Sequence, residues 1–183
     1  DSKLIASEKL INEKSAAKRD YLNIMFAGNL IPLKNVDVII KALKNVDFDY
    51  KLSIVGSGPE EKKLKTIVFE LEMTEKVEFL GRLSREDTTA MMQKSDLFVM
   101  PSSPETFGLV YLEAMAQGCI TVGSKNEGID GVIVNNENGF LVKPANAQAL
   151  AECLKKISDM QLVQKQEIVF SAYNTAKEMT DSN

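Results

Sequence analysis

Histidine is absent from the 183 residues, which excludes a Ser-His-Asp triad, a His-Glu-x-x-His zinc site and a histidine general base within this chain. Cysteine is nearly absent. Cys119 and Cys153 stand too far apart for a Cys-x-x-Cys pair, and in a chain this size they read as reduced, buried thiols of a cytosolic protein. Apolar runs stay well short of the roughly 18 residues a membrane-spanning helix needs. The opening Asp1-Ser2-Lys3 has neither the shape of a signal peptide nor an initiator methionine, so a fragment is expected. Positive charge is not in excess: a net charge of -4 argues against a nucleic-acid surface. Internal repeats and low-complexity tracts are lacking too.

What is present is ordinary globular composition, 44% hydrophobic and 26% charged, enough for about one domain. A polar, Lys-rich leader, residues 1–19, reads as a loose helix or linker, and residues 20–183 as the domain. Within the domain one rhythm repeats: a short apolar run, a Gly-containing turn, then an amphipathic stretch. The runs are Leu22–Ala27, Leu52–Val55, Val77–Leu80, Leu97–Met100 and Ile120–Val122. They are continuous rather than alternating, as expected of strands covered on both faces of a parallel sheet.

Between them, Val36, Ile39, Ile40 and Leu43 recur at helical spacing, as do Leu64, Ile67, Val68 and Leu71. Pro59 followed by Glu60 and Glu61 suits a helix start. Five strand–helix cycles imply βαβ units with right-handed crossovers, hence a doubly wound, mostly parallel α/β fold. Val132–Val134 and Phe140–Val142 flank a turn signal at Glu137-Asn138-Gly139, and two helices are expected near 146–158 and 162–177.

In such a sheet ligands bind beyond the carboxyl ends of the strands, so the loops that matter are 28–34, 56–59, 81–85, 101–107 and 123–131. Gly56-Ser57-Gly58-Pro59 begins like a dinucleotide fingerprint but lacks the third glycine, and proline removes an amide that a pyrophosphate would use. A tight strand-to-helix turn is the better reading. The segment 101–118 is richer. It leaves a strand through Pro101-Ser102-Ser103-Pro104, enters a helix near Thr106 or Phe107, and ends at Gly118, a C-terminal cap. Glu105 lies just ahead of that helix, and Glu113 leans back toward its start. The two carboxylates can bracket the free first-turn amides, pairing a phosphate-binding end with acceptors for sugar hydroxyls. The bland alternative is a dipole partner and a solvated glutamate. Against it, Glu113 sits on an almost wholly apolar helix, where a carboxylate needs partners.

With these segments quoted, the sequence from about Leu22 to Leu154 resembles the C-terminal half of the retaining glycosyltransferases of the GT-B group, family GT4 (group 1). The signature pair of glutamates separated by seven residues stands as Glu105 and Glu113. Val55–Glu60, Phe79–Arg82, Ser95–Ser102 and Asn138–Val142 also resemble family segments, in family order. The resemblance implies a Rossmann-like domain that binds a nucleoside diphosphate sugar, a UDP- or GDP-sugar, as substrate, with no cofactor. It implies that Glu113 accepts hydrogen bonds from the ribose and that Glu105 sits beside the donor sugar. Amides at Thr106, Phe107, Gly108, Leu109 and Val110 would hold the diphosphate, and Arg82-Leu83 would border the base. The first glycine loop, Gly28-Asn29-Leu30-Ile31-Pro32-Leu33-Lys34, keeps the family lysine as Lys34 but carries Asn29 where the family has arginine. An amide supplies neither the fixed charge nor the bidentate fork of a guanidinium, so leaving-group charge would fall more on Lys34 and the helix terminus, or on Arg82 if its side chain reaches.

The implied reaction transfers a hexose to an acceptor hydroxyl with retention, by front-face attack assisted by the leaving phosphate. Metal is not required in that scheme, and the chain has no His/Cys ligand cluster; no metal ligand is assigned. The acceptor, a saccharide or lipid-linked hydroxyl, would bind a separate N-terminal domain of the full-length protein, which would be cytoplasmic, with peripheral membrane association left open; the isolated fragment would be inactive. Two other classes stay open: a sugar-nucleotide epimerase-like domain, which the glutamate spacing disfavours, and a non-catalytic nucleotide-sugar-binding module, which Asn29 leaves open. Lys125–Gly131 either touches the donor sugar or is a plain surface loop.

Overall fold

The structure is a computed structural model that describes residues 5–181; the first four residues of the expected leader and the last two of the expected domain lie outside them. In chain order the elements are α1 (Glu8–Ala16), β1 (Leu22–Ala27), a 3-10 turn (Pro32–Lys34), α2 (Val36–Lys44), β2 (Tyr50–Val55), α3 (Glu61–Glu70) and β3 (Val77–Gly81). They continue with α4 (Arg85–Lys94), β4 (Leu97–Val99), α5 (Leu109–Ala116), β5 (Ile120–Ser124), β6 (Phe140–Val142), α6 (Ala147–Asp159) and α7 (Leu162–Asp181).

The six strands form one sheet in the order β3-β2-β1-β4-β5-β6, and every pairing is parallel. The chain first walks outward from β1 to β3, then returns to β4 on the other side of β1. Because right-handed crossovers fix the side of each helix, the reversal puts α2 and α3 on one face and α4 and α5 on the other. Packing agrees: α2 meets α3 and α6, while α5 meets α4 and α7, and α7 meets α1. All residues of β4, β5 and β6 are buried, which is why these strands read as continuous apolar runs instead of alternating ones.

The expected leader contains α1, and that helix is docked. Ser7 caps it, accepting from the Leu10 amide at 3.2 Å. Ile11 is fully buried, and the Lys14 ammonium donates to the carbonyls of Met92 and Gln117, both at 2.8 Å. The segment looks polar because Ile11 and Lys14 are its only buried helical residues. A lysine can bury its stem like an apolar side chain while its head finds carbonyls.

Three local features differ from expectation. First, α5 begins at Leu109, later than Thr106 or Phe107, because Gly108 has a left-handed φ of 68° that breaks helical geometry. Its end is as expected: the Gly118 and Cys119 amides reach back to Met115 and Ala114, each at 3.0 Å, a Schellman closure. Second, only Phe140–Val142 of the two late apolar runs is a strand; Val132–Val134 is irregular. Asn138 folds that segment, accepting from the Val134 amide at 2.7 Å and donating to the Val132 carbonyl at 3.0 Å. Third, Cys119 is buried but Cys153 is only half-buried.

The Gly56-Ser57-Gly58 motif is a packing device. A Cβ on Gly56 would lie 1.8 Å from the Gly28 carbonyl oxygen, and one on Gly58 would lie 2.4 Å from that of Leu30. The two glycines let the β2 loop press against the β1 loop, where Leu30 donates to the Ser57 carbonyl at 3.0 Å. The turn reading of the motif holds.

Candidate functional site

A cleft of about 430 Å³ opens over the carboxyl ends of β1 to β4. Gly28 and Asn29 line it from the end of β1, Arg82 and Leu83 from the end of β3, and Gly108, Leu109 and Val110 from the start of α5; Lys34 reaches in from the 3-10 turn. β1 and β4 are neighbours from which the chain runs in opposite directions, so the cleft sits at the switch point where open α/β sheets bind ligands. The first-turn amides of Leu109 and Val110 have no intrahelical acceptor. Both residues line the cleft, at the positive end of the helix.

Lys34 meets Glu105, which does not itself line the cleft, from a distant part of the chain. The ammonium lies 2.5 Å from Glu105 Oε2, with the two side chains only 18% and 12% exposed. Ser102 donates to the same oxygen at 3.0 Å. Two residues ahead of α2, Lys34 stands near the positive end of a helix, an unfavourable place for a cation. The Glu105 carboxylate compensates for it.

The loop that carries Glu105 is held from behind. Glu127 accepts from the Glu105 amide at 2.7 Å and from the Ser103 hydroxyl at 2.5 Å. These two contacts keep its carboxyl below the usual glutamate range, the hydroxyl contributing more than the amide. The Gly128 amide donates to the Glu105 carbonyl at 2.9 Å. A Cβ on Gly128 would sit 1.7 Å from the Thr106 carbonyl oxygen, so only glycine permits that approach. Beneath the loop, the buried Tyr111 hydroxyl donates to the Met100 carbonyl at the end of β4, and its ring meets Phe98 edge-on at 5.9 Å. Burial pushes the Tyr111 phenol well above its ordinary value.

Glu113 does not itself line the cleft; it is 35% exposed and accepts from Arg85, the first residue of α4, at 3.1 Å. The Arg85 side chain is 62% exposed, so the pair stands at the surface and the burial expected of a carboxylate on an apolar helix is not found. Arg82 is exposed and donates to Ser57 at 3.1 Å; Asn29 is exposed at the rim. Thr106 and Phe107 lie in the loop ahead of α5 and do not line the cleft.

Ser102, Arg85, Tyr111 and Glu127 were not singled out from sequence. Ser102 acts within its own loop, three residues from Glu105, and Glu127 falls in the 125–131 loop, but Arg85, Tyr111 and Glu127 each act on a residue from another loop, strand or helix. One D-x-D triplet does occur, Asp47-Phe48-Asp49. It precedes β2 at the amino ends of the strands, away from the cleft, where Lys155 lies 3.0 Å from Asp47 and Lys76 lies 3.7 Å from Asp49.

A parallel sheet in this order, with a cleft at its switch point, defines a Rossmann-like domain, and the fold matches solved GT-B glycosyltransferases. Residues 7–175 match the family described as "Glycosyl transferases group 1", and the chain belongs to that family. It is 31% identical over 146 residues to an uncharacterized glycosyltransferase of Methanocaldococcus jannaschii, a match covering 80% of this chain and 41% of that protein. A D-inositol 3-phosphate glycosyltransferase of Pseudarthrobacter chlorophenolicus is 31% identical over 159 residues, covering 80% of this chain and 38% of that protein. Among solved structures, Anabaena HepE in complex with UDP-glucose superposes with a TM-score of 0.84 at 26% identity, over 97% of this chain and 50% of that one. The chain thus spans about two fifths of the length of these two relatives and half of HepE.

Proposed function

We propose that this chain is the donor-binding domain of a retaining glycosyltransferase, holding a nucleoside diphosphate sugar in the switch-point cleft. The observation that carries the reading is the Lys34–Glu105 pair, 2.5 Å long, whose lysine lines the cleft together with Leu109 and Val110 at the start of α5. A cation and a helix start are what a diphosphate needs, and an adjacent carboxylate is what sugar hydroxyls need.

The diphosphate lies against the amides of Leu109 and Val110, with Gly108 and the Thr106-Phe107 loop alongside. Lys34 meets its leaving oxygen. Gly28 allows close approach, and Asn29 offers a neutral amide where charge is wanted, so Lys34 and α5 carry the electrostatic stabilisation of the departing diphosphate. Glu113 accepts from the ribose, Arg82 and Leu83 border the base, and Glu105 accepts from the hexose. In the absence of donor, Glu105 neutralises Lys34. Donor binding gives the ammonium a second anion, so the carboxylate oxygen that it held is shared with a sugar hydroxyl. UDP- and GDP-sugars are the candidate donors, as substrates and not cofactors. A further, N-terminal domain of a longer protein supplies the saccharide or lipid-linked acceptor, and transfer occurs between the two domains.

Isothermal titration of this chain with UDP-glucose, GDP-mannose and ADP-glucose tests the reading. One of the three binds, and the fitting donor raises the apparent unfolding free energy by about 2.7 kcal/mol at a hundredfold excess over Kd. Lys34→Ala weakens that donor by about ten- to hundredfold, the loss of one charge-assisted contact. Binding by none of the three, or unchanged affinity in Lys34→Ala, overturns the proposal.

A further inference from the structure

We infer that Glu127 is a positioning residue for the donor-sugar site, fixing the Glu105 carboxylate from behind through the backbone of the loop that carries it. The inference rests on the donor-site reading of Glu105 and assigns a role to a residue that the reading itself does not use. Glu127 lies in the loop after β5, 22 positions from Glu105 in sequence, yet it touches no group in the cleft. Its two carboxylate oxygens are both spent on the 103–105 segment, one on the Ser103 hydroxyl at 2.5 Å and one on the Glu105 amide at 2.7 Å. The next residue repeats the grip: the Gly128 amide donates to the Glu105 carbonyl at 2.9 Å. The peptide groups on both sides of the Glu105 Cα are therefore tied to Glu127-Gly128.

The consequence is geometric. Glu105 sits in a loop with no regular secondary structure, where a side chain would otherwise sample several rotamers. With the backbone clamped, the carboxylate has one direction that reaches both the Lys34 ammonium at 2.5 Å and the Ser102 hydroxyl at 3.0 Å. A carboxylate is the fitting clamp because it only accepts, and both of its partners donate. The ion pair at the rim is thus preorganised by a second acid that never contacts the ligand.

Two measurements test this. The first needs no donor: a crystal structure of the Glu127→Ala domain. Positioning predicts that the 103–106 loop shifts and that the Lys34–Glu105 contact lengthens beyond ion-pair distance. An unchanged contact overturns the inference. The second is a double-mutant cycle on UDP-glucose affinity or, in the full-length enzyme, on kcat/KM. Glu127→Ala costs about ten- to hundredfold, and Glu127→Gln, which keeps an acceptor for the Glu105 amide, recovers most of it. Glu105→Ala with Glu127→Ala is no worse than Glu105→Ala alone, because the clamp has nothing left to position. Multiplying losses, or failure of glutamine to recover function, indicate general destabilisation and sink the idea. If Glu105→Ala itself leaves donor affinity and transfer intact, the donor-site reading fails, and the crystal structure still decides the role of Glu127.

Discussion

A single hydroxyl, that of Tyr111, joins the cleft to the core. It is fully buried and satisfies the Met100 carbonyl just beyond β4, so it fixes the start of α5 relative to the strand before it. Tyr111→Phe leaves that carbonyl without its partner in a dry site and should lower stability by about 1–3 kcal/mol, read from urea unfolding. The ring shape is retained, so the change reports the hydrogen bond alone. Glu127 gives a pH prediction at the same scale. Its carboxyl is depressed in the folded state by the Ser103 hydroxyl and then the Glu105 amide. Its contribution is therefore present above the unfolded-state value and lost as pH falls through the lower folded value. Thermal melts between pH 6 and about 3 should show a steeper acid loss for the native chain than for Glu127→Gln. Equal slopes would remove Glu127 as a contributor. Of these residues the sequence exposed Glu105, Glu113 and Lys34 through spacing and resemblance. It did not expose Tyr111 or Glu127, whose partners are other stretches of backbone that no pattern of side chains records.

Among the elements, α1 shows how a polar helix can belong to a core. Lys14 donates to Met92 near the carboxyl end of α4 and to Gln117 at the carboxyl end of α5. Two helix termini, each carrying partial negative charge, converge on one ammonium. Lys14→Met keeps the buried stem but orphans both carbonyls, and should cost about 2–4 kcal/mol, measured by denaturant unfolding. A cost near zero would mean that water replaces the ammonium. The helices α2 and α3 were legible from apolar spacing, and α6 and α7 were expected close to where they stand. A loose helix or linker was expected at α1, but its docking was not legible, because its anchor is a lysine. The late start of α5 was equally hidden, since it depends on the backbone angle of Gly108 and on the hold of Glu127-Gly128 over the preceding loop.

For the whole molecule, the open question is where the folding unit begins. The sequence divided the chain at residue 20, yet Ile11 is buried and the Ala6 carbonyl accepts from Tyr173 at 2.9 Å, tying the first described residues to α7. Deleting residues 1–19 should uncover the α7 surface on which α1 packs and destabilise the domain by about 3–6 kcal/mol, the sum of a buried isoleucine and the Lys14 contacts. Calorimetry of the truncated and intact chains checks this; equal melting temperatures would restore the boundary at residue 20.

The order of strands and helices, the parallel sheet, and the loops worth inspecting were determined by sequence alone. Hydrophobic periodicity is local, and a strand buried on both faces has to be apolar along its length. Which side chains meet was decided only by the tertiary structure. The reversal of the sheet between β1 and β4 brings residue 34 against residue 105 and residue 127 behind it. Contacts between loops are fixed by how crossovers pack on the sheet, and that long-range geometry leaves no trace in the spacing of residues along the chain.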